Sequence, residues 1–199
     1  ADAGADAVRH GDAATLADAL ADTRSRLLRQ FETYRAALGA RDLSVPQTPE
    51  LNPPLWELGH IGWFEDWWIA SNPQRRRGVA ADPRCGRAAP QRTNADALYN
   101  SSEVAHARRW SLSLPDAVHT LADLQRGRER TLTLLHDAEP TDDALYFFRL
   151  ALLHEDMHRE AWIYMAQNLG FAPGVDSIEP QPVPDDRGEI GIEGGMCSI

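Results

Sequence analysis

Apolar residues recur every three or four positions along four long segments of the chain, and no strand-like alternation of polar and apolar residues separates these segments. The periodicity predicts amphipathic helices over about 14–40, 52–70, 113–138 and 141–170. Such helices favour an all-α four-helix bundle, because each one can bury its apolar stripe only against the others. We therefore predict one bundle over residues 14–170.

Residue types at the predicted helix ends support these boundaries. Asn52, which precedes two prolines, is typical of an N-cap with proline in the first turn. We expect Ser113 to open the third helix, with Asp116 in its first turn. Thr141 is a candidate cap for the fourth helix, and Gly170 is expected to end it.

Two regions do not fit a simple bundle. The connection from Asn72 to Leu112 is far longer than the ~2–8 residues that usually join bundle helices, so we expect it to have a function or to fold back over the bundle. Residues 171–187 contain four prolines among acidic residues, which is typical of a linker. Residues 188–199 alternate polar and apolar side chains and predict the first strand of an incomplete second domain.

Charge and composition exclude several classes of function. The net charge is −10, from 30 acidic and 20 basic residues, and non-specific binding to nucleic acid needs a basic face. No apolar stretch approaches the ~18 residues of a membrane span, and the first residues lack the pattern of a signal peptide. The two cysteines form no disulfide framework. We expect a soluble cytoplasmic protein without nucleic-acid or membrane partners.

Histidines mark the candidate functional site. His154 and His158 lie four residues apart on the fourth helix, so both imidazoles can reach one metal ion. They share a helix face with apolar residues such as Phe147 and Met165, and we expect this face to point into the core. His60 lies among the tryptophans of the second helix. The three histidines can converge on one ion, and the alternative for each is a hydrogen-bonded core histidine.

The neighbours of these histidines have simpler interpretations. Trp63 and Trp67 can in principle hold a cationic group by cation–π contact, but their place on a helix stripe favours packing in the core. We expect Glu155 and Asp156 to lie off the metal-binding face. There they would form surface salt bridges or support an imidazole.

Residues 154–158 also match the H-E-x-x-H pattern of zinc proteases, in which Glu155 would be the general base. That pattern needs a third ligand after the second histidine. The position expected for a histidine holds Tyr164, and the expected glycine is Ala161. The next acidic candidates, Glu179 and Glu189, fall in the linker and the strand-like end. The rest of the chain therefore disfavours a protease.

Three sequence runs together resemble the N-terminal DinB-type domain of the ergothioneine sulfoxide synthase family. They are NPPLWELGHIGWF at 52–64, LYNSS at 98–102 and HEDMH at 154–158. The amino-acid sequence at 58–64 and 101–110 is most similar to that of the selenoneine synthase branch. The resemblance covers about residues 16–170. It implies a DinB-like bundle, followed after the linker by a domain similar to the formylglycine-generating enzyme.

The resemblance also implies a metal centre and a reaction. In this family a three-histidine site holds non-heme Fe(II), and the ligands correspond to His60, His154 and His158. Three imidazoles leave open positions on an octahedral ion for an imidazole substrate, a sulfur or selenium donor, and O2 as co-substrate. The implied reaction joins sulfur from a thiol, or selenium from a selenosugar, to the imidazole ring of hercynine.

Residues around the implied metal have roles that the resemblance suggests. Asn100, Ser101, Arg108 and Arg109 fall in a segment that faces the substrate pocket in this family, and an arginine fork suits a carboxylate. The alternative is a solvated basic loop. The family's catalytic tyrosine belongs to the second domain, so we expect this chain to bind metal and to need its own C-terminal domain for turnover.

Two other functions stay open at this stage. A DinB-type metal-dependent thiol transferase would use a similar three-histidine site and would turn over without oxygen. A non-enzymatic helical bundle with structural histidines would hold no stoichiometric metal.

Overall fold

The computed structural model describes residues 8–175, and within this range the regular secondary structure is entirely helical. The all-α bundle is therefore confirmed for this part of the chain. The predicted strand at 188–199 and most of the predicted linker lie outside the described residues. No helix between residues 8 and 175 is long and apolar enough to cross a membrane. The main helices are α1 (Ala13–Leu38), α2 (Pro54–Glu65), α3 (Ala95–Tyr99), α4 (Ala117–His136) and α5 (Asp142–Leu169).

The N-termini of two helices differ from the prediction. Pro53 is the N-cap of α2, and the side chain of Asn52 donates instead to Glu57 Oε1 at 2.5 Å. Helix α4 begins at Ala117, four residues after the predicted Ser113. Its N-cap is Asp116, whose carboxylate accepts from the backbone N–H of His119 at 2.9 Å. Pro115 explains why the helix does not begin at Ser113, because Leu114, the residue preceding this proline, avoids helical backbone angles.

The ends of α5 agree with the prediction. Thr141 caps its N-terminus, where its hydroxyl accepts from the backbone N–H of Ala144 at 3.3 Å. Gly170 ends the helix with a φ of 82°, a left-handed conformation that glycine adopts without the steric cost of a Cβ atom.

The apolar core between α1 and α5 is built on aromatic side chains. The Trp162 ring packs edge-on against Tyr34 and Phe31, with centroids 4.4 Å and 5.9 Å away. The Tyr34 hydroxyl donates to the backbone carbonyl of Trp162 at 2.7 Å, so its buried polar atom is satisfied. Burying each such side chain contributes about 1.5–3 kcal/mol. This packing fixes α5, which carries two of the candidate ligands, against α1.

Four charged side chains lie in the middle of the bundle, one from each long helix. We call Arg24, Glu65, Arg128 and Glu155 the ion quartet; all four are buried. Arg24 Nε donates to Glu155 Oε1 at 2.8 Å and its Nη2 donates to Glu65 Oε2 at 2.9 Å. Arg128 donates to both acids, at 3.0 Å to Glu65 and 2.5 Å to Glu155. Two positive and two negative charges therefore balance inside the protein.

The ion quartet corrects the expectation for Glu155, which is 1% exposed and forms no surface salt bridge. The buried face of α5 is centred near Glu155 and Trp162, not on the histidines. Phe147 and Met165 are buried as predicted, but sequence periodicity centred the face too close to the histidines because a glutamate scores as polar and was left out of the core stripe. Its neighbour Asp156 follows the expectation in part, since it pairs with Arg159 at 2.7 Å and also accepts from the hydroxyl of Thr23 in α1.

The long connection between α2 and α4 folds back over the bundle. It contains 3₁₀ turns at Arg75–Ala80 and His106–Ser111, with α3 between them. The Trp56 indole on α2 donates to the backbone carbonyl of Leu98 in α3 at 2.8 Å. Bonds of this kind hold α3 against the side of α2 that carries His60.

Candidate metal centre

The structure brings His60, His154 and His158 together. One nitrogen from each imidazole can be chosen so that all three lie within 4.8 Å of one another. His60 comes from the middle of α2, and the other two come from successive turns of α5. The packing of α2 against α5 therefore produces the convergence that the histidine spacing predicted.

Hydrogen bonds determine which nitrogen each ring can offer. His60 Nδ1 lies 2.8 Å from the carbonyl oxygen of Tyr99, and His158 Nδ1 lies 2.6 Å from Glu57 Oε2. Because these oxygens only accept, each Nδ1 must carry the proton. The Nε2 atoms of both rings then keep a free lone pair. His158 Nε2 also faces His154 Nε2 at 3.2 Å.

The donor atoms fit a metal ion, and so does the shortest of the distances between them. Two nitrogens bound about 2.1 Å from one ion at a right angle are about 3 Å apart, close to the separation of the His154 and His158 nitrogens. Neutral imidazoles suit iron, zinc, copper or nickel. Burial, aided by the nearby His158, lowers the pKa of His60 to about 4 and that of His154 to about 2. Both rings are therefore neutral near pH 7, the form that binds metals.

Aromatic rings fix the planes of two ligands. Trp56 stacks on His60 with centroids 4.8 Å apart and an interplanar angle of 9°. Phe64 stacks on His154 at 3.5 Å and 4°. His60 is 4% exposed, whereas the α5 histidines are only partly buried because they lie at the edge of the buried face. The site is therefore closely packed toward α2 and open on one side.

Sequence reasoning missed Glu57, which contacts the site directly. Its side chain is 1% exposed and accepts from both His158 and Asn52. Burial alone would raise the pKa of Glu57, but the hydrogen bond and charge of His158 outweigh it and hold the pKa below its ordinary value. Its position one helical turn before His60 was the available signal, because residues i and i+3 share a helix face.

A pocket of about 240 Å³ opens beside His60 and His154. Asn100 and Ser101, both predicted to bind substrate, line it. Trp63 and Trp67 also line it and are only partly buried. Trp63 in addition packs against the apolar cluster around Trp56, as predicted. The pocket thus combines an aromatic wall with hydroxyl and amide groups next to the histidines. Its full lining is His60, Trp63, Phe64, Trp67, Trp68, Asn100, Ser101, Ser102 and His154.

Arg108 and Arg109, which were predicted to bind substrate together with Asn100 and Ser101, do not line this pocket. Arg108 is exposed. The Arg109 guanidinium stacks over Trp56, 3.7 Å from the ring centroid, and its Nη1 donates to Asn52 Oδ1 at 2.7 Å. Arg109 therefore contacts Trp56, which stacks on His60, and Asn52, which holds Glu57.

Comparison with known proteins finds three similar sequences, although no family model matches the chain. It is 32% identical over 182 residues to a hercynine oxygenase of Mycolicibacterium smegmatis, covering 90% of this chain and 37% of that protein. It is 29% identical over 159 residues to the hercynine oxygenase of Mycobacterium tuberculosis, covering 80% and 33%. The identity to the hercynine oxygenase of Mycolicibacterium thermoresistibile is 27% over 161 residues, covering 81% and 32%.

The chain therefore spans about a third of the length of the curated relatives it matches. The matches cover most of residues 1–199 and involve three proteins of one name. On these similarities, together with the all-α bundle, the chain fits an ergothioneine sulfoxide synthase-like family represented by the hercynine oxygenases.

Proposed function

We propose that this chain is the metal-binding part of a non-heme Fe(II), O2-dependent enzyme that acts on hercynine. One observation carries the proposal: His60, His154 and His158 converge within 4.8 Å in a chain similar to hercynine oxygenases. When bound, iron would supply a charged centre with open positions for dioxygen and a soft sulfur or selenium donor.

The chain's own residues would bind and orient the substrate. The pocket beside His60 and His154 is large enough for a single imidazole compound. Asn100 Oδ1 accepts from the backbone N–H of Ser102 at 3.1 Å, which leaves the amide hydrogens of Asn100 for a substrate acceptor. The indoles of Trp63 and Trp67 form an apolar wall that limits water around a reacting ring.

For the donor, we propose a thiol or a selenosugar, so that the product contains a new C–S or C–Se bond at the imidazole carbon. This part of the proposal is supported by the resemblance of residues 58–64 and 101–110 to the selenoneine synthase branch. Sulfur and selenium donors are both soft anions when deprotonated, and the described residues do not distinguish them.

We also propose that a second domain of the same polypeptide covers the open side of the site. Leu153, Met157 and Tyr164 are 53%, 53% and 47% exposed. At 100° per residue they form one stripe roughly 60–100° around α5 from His154. Exposed apolar stripes of this kind mark interaction surfaces. The matched region is about a third of the length of each relative, so the occupant we propose is the remainder of the polypeptide.

The metal part of the proposal is tested by anaerobic Fe(II) titration of the chain. We expect about one iron per chain, lost in His60→Ala. The control is His119→Ala, because His119 is exposed and bonds to Asp116 at the N-terminus of α4, away from the site. If His60→Ala retained full iron occupancy, the three-ligand assignment would be wrong.

The reaction is tested on the longer two-domain polypeptide by oxygen uptake with hercynine plus a thiol or a selenosugar. We expect uptake that needs both substrates and Fe(II). Turnover without oxygen would favour a metal-dependent thiol transferase instead. A chain that purifies and reconstitutes without stoichiometric metal would favour a non-enzymatic bundle with structural histidines.

A further inference from the structure

The carboxylate of Glu57 is held in an unusual way for a buried charge. Placing a carboxylate in the protein interior costs several kcal/mol unless hydrogen bonds and opposite charge compensate. The buried glutamates of the ion quartet each accept hydrogen bonds from arginines. Glu57 instead accepts from the Asn52 amide at 2.5 Å and from the His158 imidazole at 2.6 Å. A weakly basic ring that is also a candidate metal ligand is thus its principal partner.

A chain of contacts extends from Glu57 to the surface of the bundle. Asn52 donates to Glu57 Oε1 and accepts from Arg109 Nη1 at 2.7 Å, so its amide has a single orientation. Arg109 in turn lies 3.7 Å over Trp56, and Trp56 stacks on His60. Arg109 is therefore linked to His158 through the hydrogen bonds of Asn52 and Glu57, and to His60 through the stacked ring of Trp56.

The three candidate ligands differ in what supports them. His158 donates Nδ1–H to a carboxylate, whereas His60 donates to the neutral carbonyl of Tyr99. Within residues 8–175, the polar contact of His154 is with His158, and its ring rests on Phe64. A carboxylate makes an imidazole more basic and fixes its tautomer, and a carbonyl does so more weakly. The three rings therefore differ in how strongly they can donate electrons to a metal, with His158 strongest, His60 next and His154 weakest.

We propose that Glu57 is a positioning residue, held by Asn52 and Arg109, that fixes His158 as the Nδ1–H tautomer and makes it the strongest donor of the three histidines. This inference rests on the proposed metal site. It differs from a structural role, because the side chain acts on the orientation and electron density of one ligand. Removing its charge should change the bound metal even where the fold is intact.

The test is a titration with Co(II) alone, whose visible absorption reports the geometry and strength of its ligands. We expect Glu57→Gln to weaken Co(II) binding by about 10–100-fold and to shift the visible bands. The matched control is Asp66→Asn. Asp66 is a buried carboxylate just after α2 that bonds to Ser71 and the backbone of Gln91 and lies outside the histidine pocket. The control should match the wild-type chain in affinity and spectrum.

A second variant guards against loss of folding. Asn52 is only partly buried, and Asn52→Ala frees Glu57 from its anchor while leaving the carboxylate in place. We expect a weaker shift in the same direction, with circular dichroism unchanged. Wild-type affinity and spectrum in a folded Glu57→Gln or Asn52→Ala chain would overturn the inference and leave the metal site intact. Failure of the wild-type chain itself to bind Co(II) or Fe(II) would overturn the proposed function as well.

Discussion

Replacing Glu155 by glutamine should severely destabilise the fold. The carboxylate receives Arg24 at 2.8 Å and 3.0 Å and Arg128 at 2.5 Å, so the neutral amide leaves two guanidinium groups facing Glu65 alone. Breaking a buried ion pair from one side typically costs about 3–5 kcal/mol, because a buried charge is left uncompensated. For a domain of this size, each kcal/mol lowers Tm by about 2–4 °C, so the expected loss is about 6–20 °C.

Thermal and urea denaturation followed by circular dichroism would measure this change. Asp156→Asn is a close control, since it makes the same change of charge one position along α5. Asp156 is partly exposed and pairs with Arg159, and the Oδ1 of an asparagine can still accept from Thr23, so we expect a loss of at most about 1 kcal/mol. A Glu155→Gln chain no less stable than the Asp156→Asn chain would refute the assignment of the ion quartet as a buried, mutually dependent unit.

A double variant sharpens the same experiment. Replacing Arg128 by methionine together with Glu155→Gln leaves Arg24 and Glu65 as a balanced pair. The combined loss should therefore be smaller than the sum of the two single losses, by about 0.5–3 kcal/mol. Simple additivity would show that Arg128 and Glu155 contribute independently.

Three further perturbations follow from other parts of the fold. Burial would raise the pKa of Glu65, but Arg128 and Arg24 outweigh it and lower that pKa from 4.5 to about 2. The ionised carboxylate therefore contributes its full stability above pH 4.5 and loses it as pH falls toward 2, so the urea midpoint of the wild-type chain should fall over this window more than that of Glu65→Gln. Parallel curves for the two chains would refute this. A Cβ atom at Gly59 would overlap the Tyr99 ring, so Gly59→Ala should lower the free energy of unfolding in urea by about 1–3 kcal/mol. Gly86 has no neighbour within 4 Å of an added Cβ atom, so Gly86→Ala should change it by less than about 0.5 kcal/mol. Equal effects would contradict the packing. Gly170→Ala should cost about 1–2 kcal/mol in thermal denaturation because of its φ of 82°, and an unchanged Tm would argue against the left-handed cap.

The bundle was predictable from sequence because its helices follow a strong apolar period and the breaks between them contain proline and glycine. The starts of α2 and α4 were less predictable. Capping depends on which side chain reaches a free backbone N–H, and Asn52 reaches Glu57 instead. Similarly, Asp116 could belong to the first turn or precede it, and its hydrogen bond to the backbone N–H of His119 makes it the N-cap.

The convergence of the histidines was predictable in part, since the i, i+4 pair on α5 needs no knowledge of the rest of the fold. The parts that sequence reasoning missed are buried charges. Glu57 and Glu155 look like solvent-facing residues of amphipathic helices, and only the packing shows that each meets a partner inside the bundle. Arg109 was also expected at the substrate pocket, but Trp56 and Asn52 hold it outside.

The ion quartet has a consequence for how the protein assembles. Because each long helix contributes one charge, any intermediate that docks only three of the helices leaves one unmatched charge in a partly dry interior. Partly assembled states are therefore penalised relative to both the unfolded chain and the complete bundle. The quartet should make folding of residues 13–169 all-or-none, so that α2 and α5, which hold the three histidines, become ordered in the same step.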